Sequence, residues 1–162
     1  MRLAALALLL MLLPSCGLRP LYAGGSDGAV ANALGSVEVE PIAGRGGWLV
    51  RNALQDRLQP LGAGAPRYRL TVKLDDDIEG FGVRSDDALT RERRTLRARY
   101  QLTDLTSGDI ILDATEGSDA GIDVVGSEYA VIAAENTALE NLAERLAGQI
   151  VTRLSARARA AP

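Results

Sequence analysis

The stretch "TRERRTLRARYQLTD", residues 90–104, constrains the fold most strongly. Taken in alternation, Leu96, Ala98, Tyr100 and Leu102 share one side, and Arg91, Arg93, Arg97 and Arg99 share the other. A period of two is that of a half-buried strand. The segment from Arg67 to about Val83 repeats the pattern, with Tyr68, Leu70, Val72 and Leu74 one way and Arg67, Arg69, Thr71 and Lys73 the other. Two such strands need an apolar layer on one side only.

The remaining segments supply that layer. A first strand is expected at Ser36 to Ile42, where Val37 and Val39 alternate with Glu38 and Glu40. Gly44, Gly46 and Gly47 read as a loop. A helix follows from about Trp48 to Leu61, with Val50, Leu54, Leu58 and Leu61 on one face and Pro60 at its fraying end. Asp86 and Asp87 mark a turn, and "DLTSGD" marks the next. Ile110, Leu112 and Ala114 continue the inner face of a fourth strand. A long helix runs from Glu128 to about Leu154, its stripe formed by Tyr129, Ile132, Leu139, Leu142, Leu146, Ile150 and Leu154. Arg153, Arg157 and Arg159 suit the negative end of its dipole. The order is β-α-β-β-β-α. The fold class is α+β, with two helices packed on one face of a four-stranded, largely antiparallel sheet.

Ahead of this domain lies a leader. Arg2 is followed by the 11-residue apolar run Leu3 to Leu13, too short for the roughly 20 residues that span a bilayer. Pro14 and the small Ser15 precede Cys16, the only cysteine. A charged start, an apolar stretch and a small-residue cleavage point describe a secretory signal. An unpaired cysteine at that point reads as a lipidation site, with Leu13 and Ser15 at the lipobox positions and Pro14 unusual between them. The other reading is an ordinary leader with an incidental cysteine. Residues 1–15 are thus a lipoprotein signal peptide and 16–35 a Gly- and Ala-rich tether behind Cys16. Residues 36–156 form a single domain and 157–162 a tail.

Composition narrows the function. The chain carries 18 basic and 21 acidic side chains, a net charge of −3, and no histidine. Of the basic residues only Lys73 is a lysine; the rest are arginines, which grip carboxylate and phosphate bidentately. Without histidine or a second cysteine, zinc and haem sites lose their usual ligands, and serine triads their base. No Gly-rich phosphate loop surrounds Lys73. No carboxylate pair is placed for catalysis, so no cofactor or metal is expected.

The polar face of the sheet is where chemistry concentrates. With a hairpin turning near residue 87, Asp77 falls opposite Arg97 and Asp75 opposite Arg99. With the next turning near residue 106, Arg99 also neighbours Asp113. Such Arg–carboxylate ladders contribute roughly 0.2–1 kcal/mol per pair. In that register Arg67, Arg69 and Lys73 meet Thr103 and Gln101 rather than acids. Together with Arg91 and Arg93 they are candidates to hold a phosphate or an acidic sugar. The segment "DDDIEGFGVRSD", residues 75–86, partly fits a calcium loop. It lacks the final Glu and flanking helices, and reads as strand end and hairpin.

Three stretches resemble one known family. "CGLRPLY" at residues 16–22 is similar to the mature start of the lipopolysaccharide-assembly lipoprotein family LptE. "LVRNALQDRL" at 49–58 and "TRERRTLRARYQLTDLTSGDII" at 90–111 resemble the first helix and the central hairpin of its alphaproteobacterial branch. The acidic stretch 75–87 is not a feature of that resemblance. The resemblance implies an outer-membrane lipoprotein facing the periplasm, anchored through Cys16. It would plug the lumen of the large β-barrel LptD one-to-one and support its assembly. It would not be an enzyme, and could bind lipopolysaccharide through basic residues. The candidates for that contact are Arg67, Arg69, Arg91, Arg93, Arg97 and Arg99. Two other classes stay open: an auxiliary lipoprotein of an ABC-type phospholipid transporter, and a periplasmic carboxylate-dependent hydrolase.

Overall fold

Alternating side chains set the sheet. In the computed structural model, which describes residues 28–59, 65–83 and 89–160, the order is α1 (Ala29–Gly35), β1 (Val37–Val39), α2 (Gly44–Leu58), β2 (Tyr68–Val83), β3 (Leu89–Asp104), β4 (Ile110–Asp123) and α3 (Glu128–Ala160). The four strands lie in the order β1-β2-β3-β4. β1 pairs parallel to β2, because α2 crosses over between them, and the other pairs are antiparallel. The fold is therefore α+β with a mixed, largely antiparallel sheet, as expected.

Leu70, Leu96, Ala98 and Tyr100 of the sheet are fully buried against Val50 and Leu54 of α2 and Leu142, Leu146 and Ile150 of α3. Each such large side chain contributes roughly 1.5–3 kcal/mol by leaving water. The two helices are also linked through Arg57, whose Nη2 donates to Glu144 Oε2 at 2.7 Å.

Five expectations are corrected. The expected tether contains a helix, α1, whose Ala31 and Leu34 are buried; the part holding Cys16 lies outside the described residues. The first strand is shorter than Ser36 to Ile42, and α2 begins at Gly44 rather than Trp48. Gly47 serves close packing: a Cβ there would sit 2.5 Å from the carbonyl oxygen of Ile42. Leu61, the last residue of the expected stripe, lies outside the described residues. The α3 stripe is buried only from Ala138 onward, and Tyr129 and Ile132 are exposed, because the first turns run past the apolar part of the sheet. Finally, a register shift at Leu102/Thr103 pairs Leu102 with Leu112 and Thr103 with Ile110. The extra residue turns Ile110 outward and leaves Ile111 packed on the core.

Replacing Gly47 by alanine would gain up to ~1 kcal/mol of helix propensity. The clash is with backbone, which cannot swing away, and overpacking costs about 1–3 kcal/mol. Urea unfolding should show Gly47→Ala destabilised. Gly148→Ala, where nothing lies within 4 Å of the new Cβ, should be neutral or stabilised.

Candidate functional site

The outer face of the sheet carries a central row of cations between rows of acids. On β3, Arg91, Arg93, Arg97 and Arg99 are all exposed. Their β2 partners are Phe81, Glu79, Asp75 and Lys73, and their β4 partners are Asp123, Gly121, Gly117 and Thr115. The face assignments hold, but the β2–β3 register is two residues from the expected one: Asp75 rather than Asp77 faces Arg97, and Lys73 rather than Asp75 faces Arg99. A shift of two keeps every side chain on its face and changes only its partner.

That change moves the cationic focus. Lys73 and Arg99 are direct cross-strand neighbours, an arrangement that repels unless an anion intervenes. With Thr71 and Gln101 they line a shallow depression of about 170 Å³. Arg99 Nη2 donates to Asp113 Oδ2 at 3.0 Å and Gln101 Nε2 donates to the same oxygen at 2.8 Å. These hydrogen bonds, Arg99's first, hold the Asp113 carboxyl below its ordinary pKa. The expected contact between Arg99 and Asp113 is thus present. The Thr71 hydroxyl is committed, donating to Glu40 Oε2 at 2.8 Å, so the site offers an incoming anion the Lys73 ammonium, the Arg99 donors not bound to Asp113 and the second amide N–H of Gln101.

The other candidates divide. Arg91 pairs with Asp123 at 3.2 Å, and Arg93 stacks on Phe81 with its guanidinium carbon 5.4 Å from the ring centre. Arg97 lies over Gly117, where a Cβ would come within 3.1 Å of its Cγ. Arg69 reaches Glu38 of β1 at 3.6 Å and Glu40, one residue past β1, at 3.5 Å, and Arg67 reaches Asp104 at 3.6 Å. Arg67 and Arg69 therefore do have carboxylates nearby, which β1 and the strand end supply. They also cannot join Arg91 and Arg93 on one phosphate. Arg93 pairs with Glu79, and at about 3.3 Å per residue that point is roughly 40 Å along β2 from Arg67. Residues 75–83 of the acidic stretch belong to β2, interrupted only by Gly82 at a φ of +78°, and the described residues hold no cluster of three or more metal-ligating side chains.

One charged group was missed. Arg94 faces the helices, bonding Asp76 in a fork at 2.8 and 2.7 Å and donating through Nη1 to the Glu135 carbonyl oxygen at 3.0 Å. It ties the hairpin to α3. Its even position in the alternating strand was the available signal. Beside it Glu92 packs near Glu135, with Glu92 Oε2 buried and lacking a hydrogen-bond partner among the described residues. Burial, then the Glu135 carboxylate, raises the Glu92 pKa.

A carboxyl whose pKa rises on folding favours the folded state while protonated. That contribution is complete below the unfolded-state pKa and is lost as pH rises through the folded one. Glu92→Gln cannot ionise, so its urea midpoint should fall less than the wild-type midpoint between about pH 4 and pH 7. Parallel curves would contradict the burial of an ionising Glu92.

Comparison with known proteins agrees with this architecture. The family model for LptE, described as Lipopolysaccharide-assembly, matches residues 34–154. No curated protein matches in sequence. Among solved structures, a lipoprotein from Caulobacter crescentus superposes with a TM-score of 0.66 at 24% identity, covering 82% of this chain and 98% of the other. The minor lipoprotein of Acinetobacter baumannii gives 0.58 at 17%, covering 74% and 91%. Rare lipoprotein B of Shewanella oneidensis gives 0.57 at 8%, covering 74% and 93%. At these identities the structures speak for the fold.

Proposed function

The chain belongs to the lipopolysaccharide-assembly family LptE, and from that premise we propose that it is anchored by a lipid on Cys16 at the periplasmic face of the outer membrane and plugs the LptD β-barrel. The observation that carries this reading is the family match across nearly the whole described domain. The surface agrees with it. A plug in a polar lumen needs a folded domain whose exposed sheet face is charged rather than apolar, and the outer face here sets Arg91 beside Asp123, Arg93 beside Glu79 and Arg97 beside Asp75. No described helix is long and apolar enough to cross a membrane, and the proposed attachment point, Cys16, lies outside the described residues. The protein acts by binding and support of the barrel, not by catalysis.

Lipopolysaccharide would meet the outer face through its phosphates. Arg99 with Lys73 is the favoured contact, because those two cations face each other. Arg91, Arg93 and Arg97 extend the row toward the hairpin end, and Arg69 serves the opposite end.

A C-terminally tagged chain, extracted from envelopes in mild detergent, should bring down a very large outer-membrane barrel at one-to-one stoichiometry. Recovery of an ATPase or a lipid-transporter subunit instead would overturn the plug reading. In a separate lipopolysaccharide-binding titration, Lys73→Gln with Arg99→Gln should weaken binding by about tenfold or more, the loss of one charge-assisted hydrogen bond. Equal affinity in the variant would remove these two residues from the contact.

A further inference from the structure

An apolar recess opens at the end of the domain remote from the β2–β3 turn and away from the Lys73–Arg99 depression. Its volume is about 320 Å³, and its walls are Ala33, Leu34, Val37, Leu102, Ile111 and Leu154. Six elements converge on it: α1, the starts of β1, β2 and β4, the end of β3 and the last turns of α3. Leu34, Leu102 and Leu154 are buried and make its base. The volume lies at the lower end of the roughly 300–1,000 Å³ of small-molecule sites, which are mostly apolar with a few polar groups that fix orientation.

Those polar groups sit together. Arg67, Asp104 and Arg157 line the same recess. Asp104 is committed to the adjoining turn: its Oδ1 accepts from the Thr106 backbone N–H at 2.8 Å, and that bond leads the causes that depress its pKa. Arg67 stands 3.6 Å from Asp104, beyond hydrogen-bond reach, with its guanidinium carbon 5.2 Å from the centre of the Tyr68 ring. Arg157 Nε donates to the Ile111 carbonyl oxygen at 3.0 Å, which uses one of five N–H donors. Two guanidiniums against one turn-bound carboxylate leave the polar edge cationic.

We propose that this recess binds a single-chain anionic amphiphile, with its acyl chain against Leu34, Leu102 and Leu154 and its carboxylate or phosphate on Arg67 and Arg157. The site stands on the recess alone and does not depend on the plug reading. It also gives Arg67 a place apart from the outer-face arginines, which a strand-alternation argument had grouped with it.

The test is a fluorescence titration of the mature chain, carrying Cys16→Ser to keep it soluble, with cis-parinaric acid. Saturable binding is expected. Oleate and lysophosphatidate should compete, whichever is tighter naming the headgroup, and oleyl alcohol should compete at least about tenfold less well. Ala33→Phe, which fills the recess, should abolish binding. Ile111→Trp is the second block if that variant does not fold. Arg67→Gln with Arg157→Gln should weaken the anionic probe about tenfold while oleyl alcohol is unaffected. No binding by the wild-type chain, binding that survives a folded blocking variant, or equal competition by the neutral alcohol would each overturn the proposal.

Discussion

Burial of one face of β3 is the constraint on which the rest depends. Leu96, Ala98, Tyr100 and Leu102 sit at the centre of the sheet, with β2 on one side and β4 on the other. Each apolar contact there fixes the opposite residue outward, because successive side chains of a strand point to opposite faces. Closing α2 and α3 over Tyr100 therefore also sorts the arginines into one exposed row. The core and the charged face are two consequences of one pleat.

Arg94 departs from that sorting and is accommodated by pairing. A guanidinium on the helix side is costly unless its charge and donors are matched. Asp76 supplies a bidentate partner and the Glu135 carbonyl takes a third bond. The result joins the hairpin, which outreaches the helical layer, to the start of α3. Glu92 lies beside this junction with its Oε2 lacking a hydrogen-bond partner among the described residues, so the same locality holds one matched charge and one carboxyl whose ionised form burial disfavours.

Function follows from where each cation ends up. Lys73 and Arg99 form a focus on the solvent face, suited to a phosphorylated surface meeting a flat sheet. Arg67 and Arg157 stand instead over an apolar recess at the terminus-bearing end. On this member of the LptE family these are different environments, one broad and polar, the other narrow and greasy. An arginine count alone would have merged them.

The sequence by itself determined the element types, the α+β class and the face of nearly every strand residue, because alternation and helical stripes are local and survive any even change of register. The resemblance carried by "CGLRPLY" and two further stretches indicated the family that the match over residues 34–154 then established. Tertiary structure decided the rest. The two-residue register difference that brings Lys73 to Arg99, the bulge that turns Ile110 outward and the glycine-rich start of α2 against Ile42 all depend on contacts between distant segments. So does helix α1: its seven residues are too few to be stable alone and are held by burying Ala31 and Leu34. No local pattern encodes such pairings, since each is set by which of several sterically allowed partners packs best once the sheet and helices close together.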